Sequence, residues 1–416
     1  MLLLMNRLGV VGVAASLVAA SCLAAGCTSD RREPAAEAGP CQAQNATSSG
    51  AVSADLQAVI DEAAPKDVIG VAGRCTGVFL IEKDLTISRA DGADRAVLDG
   101  GGAGTVLTIS GTQADHIQVR LGNLKITGGF ARRLATHGGG IRIDLAQVRL
   151  EGSQVVDNRA TQGGGIYSVG SLVLSETRVS GNWALNGGGG VFALGEGVTL
   201  RGRSEISRND GGGISGGIGD RVAPVTMYGS SSVWGNRQGP RGHSDGGGIQ
   251  ASRVVMNDHS TVHDNQGTGI FANSVVMNNH AKVTHNVTVG YGGGIVANRI
   301  VMRDQTRVLR NESERYGGGG ITMPSAQRGE LRMSGTSMVA RNTAHTGGGV
   351  YAEFSTVILR DRAAITHNTA TRTGGGVYSN QVCSSVHYKV VTLGRSTISH
   401  NVPNDIFIAW DPNGCG

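Results

Sequence analysis

Aromatic residues are scarce in this chain of 416 residues, which has three tryptophans, seven tyrosines and six phenylalanines. This scarcity argues against a groove that binds sugars by ring stacking, although five residues are candidates for one: Trp183, Tyr228, Trp234, Tyr291 and Tyr316. No two cysteines have C-x-x-C spacing, which disfavours a metal site built from cysteines. After the N-terminal segment no apolar run reaches the length of a transmembrane helix, so none is predicted there.

A short phrase recurs down most of the chain: V-x-x-N, a polar turn, three glycines and a β-branched residue. Val155–Asn158 leads in this way to Gly163–Ile166. The asparagines of the ten units are Asn158, Asn182, Asn209, Asn236, Asn265, Asn286, Asn311, Asn342, Asn368 and Asn401. Eight or nine residues before each lies a leucine or a methionine, and the methionines are Met227, Met256, Met277, Met302 and Met333. A period of roughly 21–35 residues indicates a solenoid of stacked repeats.

Each unit contains short β-branched runs that are separated by polar turns and are too short for a helix. Stacking the units at roughly 4.8 Å buries an apolar face that one unit alone cannot cover. The sequence therefore predicts an all-β fold, a right-handed parallel β-helix. We expect the methionines to form a core stack and the glycines to permit positive φ. The asparagines are expected to adopt left-handed turn conformations and to bond the backbone or the next asparagine.

The N-terminal segment has the features of an export signal. Arg7 precedes an apolar run, and small residues precede Cys27 as in a bacterial lipobox. We expect residues 1–26 to be a lipoprotein signal peptide and Cys27 to be lipidated, with Cys22 as a competing site and plain secretion as the alternative. Residues 27–52 then form a tether, and residues 53–416 form a single β-helix domain. This predicts an exported protein that is anchored by lipid at the bacterial cell membrane and faces outward.

Features at both ends of the repeat region are predicted to protect the terminal coils. Four cysteines flank the region in two pairs, Cys41 with Cys75 and Cys383 with Cys415. In an exported chain such pairs indicate disulfides. Ser53 is placed to cap a short amphipathic helix over residues 54–64, which would cover the open N-terminal end of the stack.

The opening of the repeat region resembles that of a known superfamily. Residues 56–64, followed by Lys83–Ile87 and Val97–Gly100, look like the start of pectin-lyase-like right-handed β-helix proteins. Units such as Gly163–Tyr167 resemble exported bacterial repeat proteins of that superfamily. They are also similar in style to polymorphic outer-membrane proteins, whose F-x-x-N motif has Val or Ile in place of Phe here. The resemblance covers residues 53–415 and implies the fold, but the same scaffold serves lyases, hydrolases, epimerases and non-catalytic surface proteins.

A β-helix enzyme that cleaves sugars needs ionisable groups clustered on neighbouring coils. The polygalacturonase motifs are missing, since the chain has no Asp-Asp pair and no G-H-G. The longest Asn-to-Gly turn holds the best remaining constellation of candidate catalytic residues: Arg237, Arg241, His243 and Asp245. Long turns carry binding residues in solenoids, although a solvated surface loop accounts for the same residues. No cofactor is predicted, and calcium is expected only if the protein is a lyase.

His259 and His280 occupy the same position in two adjacent units. If both side chains point outward, they lie roughly 4.8 Å apart and are candidate ligands for a metal such as zinc. The next unit offers only Gln305 in that column, so a third ligand is missing. The sequence therefore predicts no metal site.

The formal net charge is +5, and both signs are interspersed along the chain. No basic stripe of the kind that binds nucleic acid is present in the sequence. The regular coils and the lack of a carboxylate cluster favour a non-catalytic lipoprotein of the cell surface with a structural or adhesive role. Its expected partners are an envelope or extracellular polysaccharide or a cell-surface protein. The alternative is a polysaccharide lyase or glycoside hydrolase that acts on acidic polysaccharide.

Overall fold

Short strands follow one another through the part of the chain that the computed structural model describes: residues 38–114, 116–131, 137–216, 222–239, 246–324, 329–382 and 389–411. They stack in parallel as a β-solenoid of about 12 turns. Within these described residues there is one helix, and it accounts for 2% of the residues. The predicted all-β parallel β-helix is confirmed, and its right-handed sense stays a prediction.

Each turn passes through up to four strand positions, and equivalent strands of successive turns pair in register. The first position follows the glycine turn: Phe79–Ile81, Leu107–Ser110, Ile141–Asp144, Ile166–Ser168, Val191–Ala193, Ile214–Ser215, Ile321–Met323, Val350–Glu353, Val377–Val382 and Ile406–Asp411. The second position carries the Leu or Met of the repeat units up to Leu359, whereas in the last unit Thr392 takes this register position and Leu393 is exposed. The strands at this position are Leu85–Arg89, Gln118–Gly122, Gln147–Glu151, Ser171–Ser175, Gly197–Arg201, Val225–Met227, Glu330–Met333, Thr356–Leu359 and Val390–Thr392. Three long strands cover both positions: Gly246–Met256, Thr268–Met277 and Ile295–Met302.

In the ten repeat units the third position carries the β-branched residue that lies three residues before the asparagine: Gln154–Val156, Arg178–Ser180, Glu205–Ser207, Ser232–Trp234, Thr261–His263, Lys282–Thr284, Arg307–Leu309, Met338–Ala340, Ala364–Thr366 and Thr397–Ser399. Two earlier strands, Ala96–Asp99 and Lys125–Thr127, occupy the same position without a following asparagine. Val68–Thr76 passes through the second and third positions. The fourth position follows the asparagine: Arg159–Ala160, Trp183–Ala184, Val287–Thr288, Glu312–Ser313, Thr343–Thr346 and Thr369–Thr373.

The interior consists of columns of similar apolar residues, one from each turn. Met256 pairs with Met277, and Met277 pairs with Met302. All five methionines of the central units are at most 1% exposed. The column therefore packs unbranched, adaptable side chains on one another, as the sequence predicts.

The repeat asparagines form one buried ladder of amides. In each step the Oδ1 atom of one asparagine accepts two hydrogen bonds from the asparagine one turn earlier. At Asn286 these come from the backbone N of Asn265 at 3.1 Å and from its Nδ2 at 2.9 Å. Asn286 Nδ2 donates to the carbonyl oxygen of Val262 at 3.1 Å and to Asn311 Oδ1 at 3.0 Å. Only an amide supplies both donors and acceptor at one position.

The left-handed conformation that we expected at the asparagines belongs to the residue before each of them. In all ten units this preceding residue has positive φ, for example 58° at Asp157, 55° at His285 and 59° at His400. Asp and His adopt such a backbone more readily than most residues. The conformational part of the asparagine prediction is therefore wrong.

The third glycine of each triplet packs against this ladder. A Cβ atom on Gly294 would lie 2.5 Å from the carbonyl oxygen of Gly320 and 2.9 Å from Asn311 Nδ2. No side chain fits there unless the next coil moves away. The asparagine and the glycine triplet thus form one structural unit, in which the side-chain amide packs against glycine backbone that has no Cβ.

A strand and a disulfide secure the N-terminal end. Gln42–Asn45 pairs antiparallel with Val68–Thr76. This strand lies inside the segment 27–52 that the sequence assigns to a tether, so the packed fold includes residues before position 53. Cys41 and Cys75 form the predicted disulfide. Cys22, Cys27, Cys383 and Cys415 lie outside the described residues, and their predicted roles stay predictions.

A short helix, Leu56–Glu62, lies at the same end and buries Leu56, Val59 and Ile60. Its N-cap is Asp55, whose carboxylate accepts a hydrogen bond from the N–H of Ala58 at 3.1 Å. The cap predicted at Ser53 is wrong: its hydroxyl accepts instead from the N–H of Asp55 at 3.0 Å. A carboxylate at the N-cap has the same role that the serine was expected to have.

Asp405 ends the amide ladder at the other end of the solenoid. Its Oδ1 accepts from both the backbone N and the Nδ2 of Asn401, each at 2.9 Å. The carboxylate oxygen therefore takes the place of the next asparagine. The final strand, Ile406–Asp411, pairs in parallel with Val377–Val382.

Candidate functional site

Unequal turn lengths open a cleft in the side of the solenoid. Three residues separate Asn265 from Gly269, whereas eleven separate Asn236 from Gly248 and seven separate Asn286 from Gly294. The short turn is thus flanked by two longer turns on neighbouring coils. Two adjoining cavities of about 510 Å³ and about 870 Å³ lie at this place. Both are in the size range of small-molecule sites.

The smaller cavity is lined by aromatic and aliphatic groups, and we call it the aromatic lobe. Its wall includes Tyr291, which is 50% exposed, and Val289, which is 54% exposed. The outer face of the first strand position contributes Phe271 and Tyr351. The ring of Tyr291 stacks on Tyr316 at a centroid distance of 4.6 Å. The lobe therefore offers flat apolar surfaces with phenol hydroxyls beside them.

Hydrogen bonds hold the wall of the aromatic lobe in place. Thr268, in the short turn, donates from Oγ1 to the carbonyl oxygen of Tyr291 at 3.1 Å. Ser313 donates to the carbonyl oxygen of Gly290 at 2.7 Å, and the N–H of Gly290 donates to Thr288 Oγ1 at 3.1 Å. The exposed tyrosine is therefore carried by a backbone that is fixed on both sides, which lowers the entropy cost of binding.

The larger cavity has polar walls, and we call it the polar lobe. Trp183, Asp210, Arg237, Gln266 and Val287 line it and are joined in that order by parallel bridges from coil to coil. They form a column along the solenoid axis with a spacing of roughly 4.8 Å.

Further ionisable groups of the polar lobe come from neighbouring columns: Asp264, His285 and Glu314. Asp264 lies 2.6 Å from Nδ1 of His263. Asp210 and Glu314 make no ion pair with the described residues. Within the described part of the chain the lobe therefore presents two carboxylates, Asp210 and Glu314, without an ion-pair partner.

Tyr351 is the most strongly shifted ionisable group of the cleft. Burial raises the pKa of its phenol, and the negative charge of Glu353 raises it further. The hydroxyl stays protonated through neutral pH and remains a hydrogen-bond donor. Tyr351 also stacks on Tyr378, with ring centroids 5.1 Å apart.

One of the four candidate catalytic residues can be placed in the cleft. Arg237 lines the polar lobe, while Arg241, His243 and Asp245 lie outside the described residues. Trp183 and Tyr291, two of the candidate sugar-stacking residues, also line the cleft. Tyr228 and Trp234 lie elsewhere, where Arg201 and Arg208 respectively pack over their rings.

The two candidate metal ligands lie side by side, away from the residues that line the cleft. The rings of His259 and His280 stack with centroids 4.7 Å apart and planes inclined by 3°. Their ring faces meet, whereas ligand nitrogens donate within the ring plane. In the described part of the chain no group of three or more His, Cys, Asp or Glu side chains is placed to hold a metal ion.

Sequence reasoning directed attention to the longest turn and missed the short one next to it. The signal was present, because Ile249 and Ile270 are closer in sequence than any other pair of equivalent isoleucines in the central units. A coil that is shorter than both neighbours must leave a gap in a wall made of stacked turns. Asp210 and Glu314 were also missed, because neither belongs to the longest turn, on which the sequence analysis concentrated.

Among the described residues no helix is long and apolar enough to cross a membrane. Comparison of the chain with models of protein families, with curated proteins and with solved structures gives no match. The resemblance to pectin-lyase-like proteins therefore rests on the sequence features alone.

Proposed function

We propose that this protein is a non-catalytic, surface-displayed β-helix lipoprotein of the bacterial envelope, which binds a polysaccharide through the cleft above the Gln266–Thr268 turn. The single observation that carries the proposal is the pre-formed aromatic lobe, with Tyr291 exposed and its backbone fixed by hydrogen bonds. Aromatic rings bind the apolar faces of sugars, and the surrounding hydroxyl and carboxylate groups bind sugar hydroxyls. Membership of the right-handed pectin-lyase-like superfamily is part of this proposal.

The binding role is tested with Tyr291→Ala on an array of bacterial and plant polysaccharides. We expect this variant to bind its best ligand roughly 2- to 12-fold more weakly, since the ring provides a stacking contact. Tyr228→Ala is the matched control, because Tyr228 is also exposed but lies outside the cleft. Equal affinity of the two variants, or no binding by the folded wild type, would refute the proposal.

The anchor is tested separately. We propose that Cys27 carries the lipid, with Cys22 as the competing site, because small residues precede both cysteines. Mass spectrometry of the protein isolated from membranes should find the lipid on an N-terminal Cys27. A mature chain without lipid would support plain secretion instead.

A polysaccharide lyase or glycoside hydrolase is the second candidate. It is favoured by one observation: Asp210, Glu314 and Arg237 line the same lobe. Asp210 and Glu314 lie four coils apart, roughly 19 Å along the axis, which exceeds the separation of a hydrolase carboxylate pair, so Asp210 with Arg237 on the adjoining coil is the candidate centre. The array is therefore also read for new reducing or unsaturated ends, with and without calcium. Product that disappears in Asp210→Asn would establish the enzyme and exclude the binding-only role.

A further inference from the structure

The described residues that line the cleft carry a net charge of the opposite sign to that of the chain as a whole. The formal net charge of the chain is +5. The described residues that line the two lobes include four carboxylates, Asp210, Asp264, Glu314 and Glu353, and one guanidinium, that of Arg237. A cleft lined by one sign of charge attracts ligands of the other sign and repels those of the same sign.

The carboxylates and the aromatic lobe lie along one path. The polar column from Trp183 to Val287 runs along the solenoid axis, one residue per coil. The two lobes share Gln238, Thr288 and Val289 in their linings, so the path continues into the aromatic lobe. An extended sugar chain that follows the axis passes carboxylates on one lobe and tyrosine rings on the other.

We infer that the cleft selects a glycan without acidic groups, and that it binds glycans bearing protonated amino groups most tightly. The inference rests on the proposed polysaccharide-binding function and names its ligand class. An ammonium group on the sugar would pair with Asp210 or Glu314, neither of which has an ion-pair partner among the described residues. A uronic acid in the same position would place like charges together.

Calorimetric titration of the full chain with three β-1,4- or α-1,4-linked oligosaccharides of equal length tests this selection. The probes are an oligomer of glucosamine, the same oligomer N-acetylated, and an oligomer of galacturonic acid. We expect the affinity to fall in that order. Added salt should weaken only the binding of the glucosamine oligomer, because screening acts on exposed charge pairs.

Two isosteric variants locate the effect. Glu314→Gln and Asp210→Asn should each weaken glucosamine-oligomer binding by about two- to five-fold, the range of an exposed ion pair, and should weaken binding of the N-acetylated oligomer less, because that oligomer lacks the ammonium groups and an amide oxygen still accepts from its hydroxyls. Glu312→Gln is the matched control, an exposed carboxylate of the same coil that does not line the cleft.

The outcomes separate this inference from the proposed function. Binding of the galacturonate oligomer as tightly as that of the glucosamine oligomer overturns the charge selection and leaves polysaccharide binding intact. Unchanged glucosamine binding in both cleft variants also overturns it. Failure of the folded chain to bind any glycan, on this panel or on the wider array, overturns both claims together.

Discussion

Removing one amide from the asparagine ladder tests what holds the coils together. Asn286 lies in the middle of the ladder and is fully buried. In the variant Asn286→Ala the backbone N–H of Asn265 loses its acceptor, which lies 3.1 Å away in the native protein. The carbonyl oxygen of Val262 loses the donor that lies at 3.1 Å.

The expected cost follows from those lost hydrogen bonds. A buried donor left without an acceptor costs about 1–3 kcal/mol, and both the backbone N–H of Asn265 and one N–H of its Nδ2, at 2.9 Å, lose the same acceptor, so the cost is roughly 2–6 kcal/mol. Asn311 Oδ1 loses one donor but keeps the backbone N–H of Asn286 at 3.0 Å, and it adds little. Water that enters the vacated space would move the result toward the lower end of this range.

Urea unfolding followed by circular dichroism measures the change in the free energy of unfolding. Native-state hydrogen exchange at the N–H of Asn265 reports the local effect and does not require the solenoid to unfold in one step. Asn273→Ala is the matched control, because Asn273 is exposed and its replacement should change stability by less than about 0.5 kcal/mol. If the two variants differ by less than about 1 kcal/mol, the ladder is not a main source of stability.

Three further predictions concern the same scaffold. Gly294→Ala should lower the free energy of unfolding by about 1–3 kcal/mol, because the added Cβ meets the next coil. Gly39→Ala is the control and should not lower it, because the space around Gly39 is open. Urea unfolding measures both variants. Asp405→Ala should speed hydrogen exchange at the N–H of Asn401, which loses its acceptor, while Asp405→Asn keeps an acceptor and should restore slow exchange. Burial lowers the pKa of His137 in the folded protein. As the pH falls below about 6.5, the unfolded state therefore takes up the proton first, and the folded state becomes less stable. The contribution of His137 to the fall in Tm between pH 7.5 and pH 5.5 should vanish in His137→Gln.

The fold could be predicted because the spacing of the repeat residues in the sequence determines which residues of successive coils pair. Asn265, Asn286 and Asn311 are equivalent residues of units that align without a gap, so the stacked columns follow directly from the sequence. The conformation of each asparagine could not be predicted in the same way. A polar residue at the turn is explained equally by a ladder amide and by a positive φ. Only the folded structure shows that the asparagine supplies the amide and that the residue before it has the positive φ.

A second buried ladder escaped sequence reasoning altogether. Ser153 accepts a hydrogen bond from the N–H of Leu124 at 3.1 Å, and Ser204 accepts one from the N–H of Thr177 at 3.3 Å. Ser153, Thr177 and Ser204 are at most 1% exposed. Serine and threonine are common in exposed turns, so their inward direction leaves no distinct mark in the sequence.

The cleft was hidden for another reason. It is not a motif but a difference in length between neighbouring turns, and it becomes visible only when the coils are stacked. Its residues are spread widely along the chain, from Trp183 to Glu353. Two short stretches, Asp264–Phe271 and His285–Tyr291, supply much of the lining, but they face each other and the remaining residues only when the coils are stacked.

Filling the cleft tests the central claim most directly. The residues Gln266–Thr268 are replaced by the seven residues Val287–Gly293 of the next turn, which lengthens the short turn to match its neighbour. As a control, the same seven residues replace Thr369–Gly375, a turn of equal length that does not line the cleft. With circular dichroism showing that both variants are folded, we predict that the first loses glycan binding and that the second binds like the wild type. Undiminished binding by the filled variant would contradict the assignment of the site to this cleft.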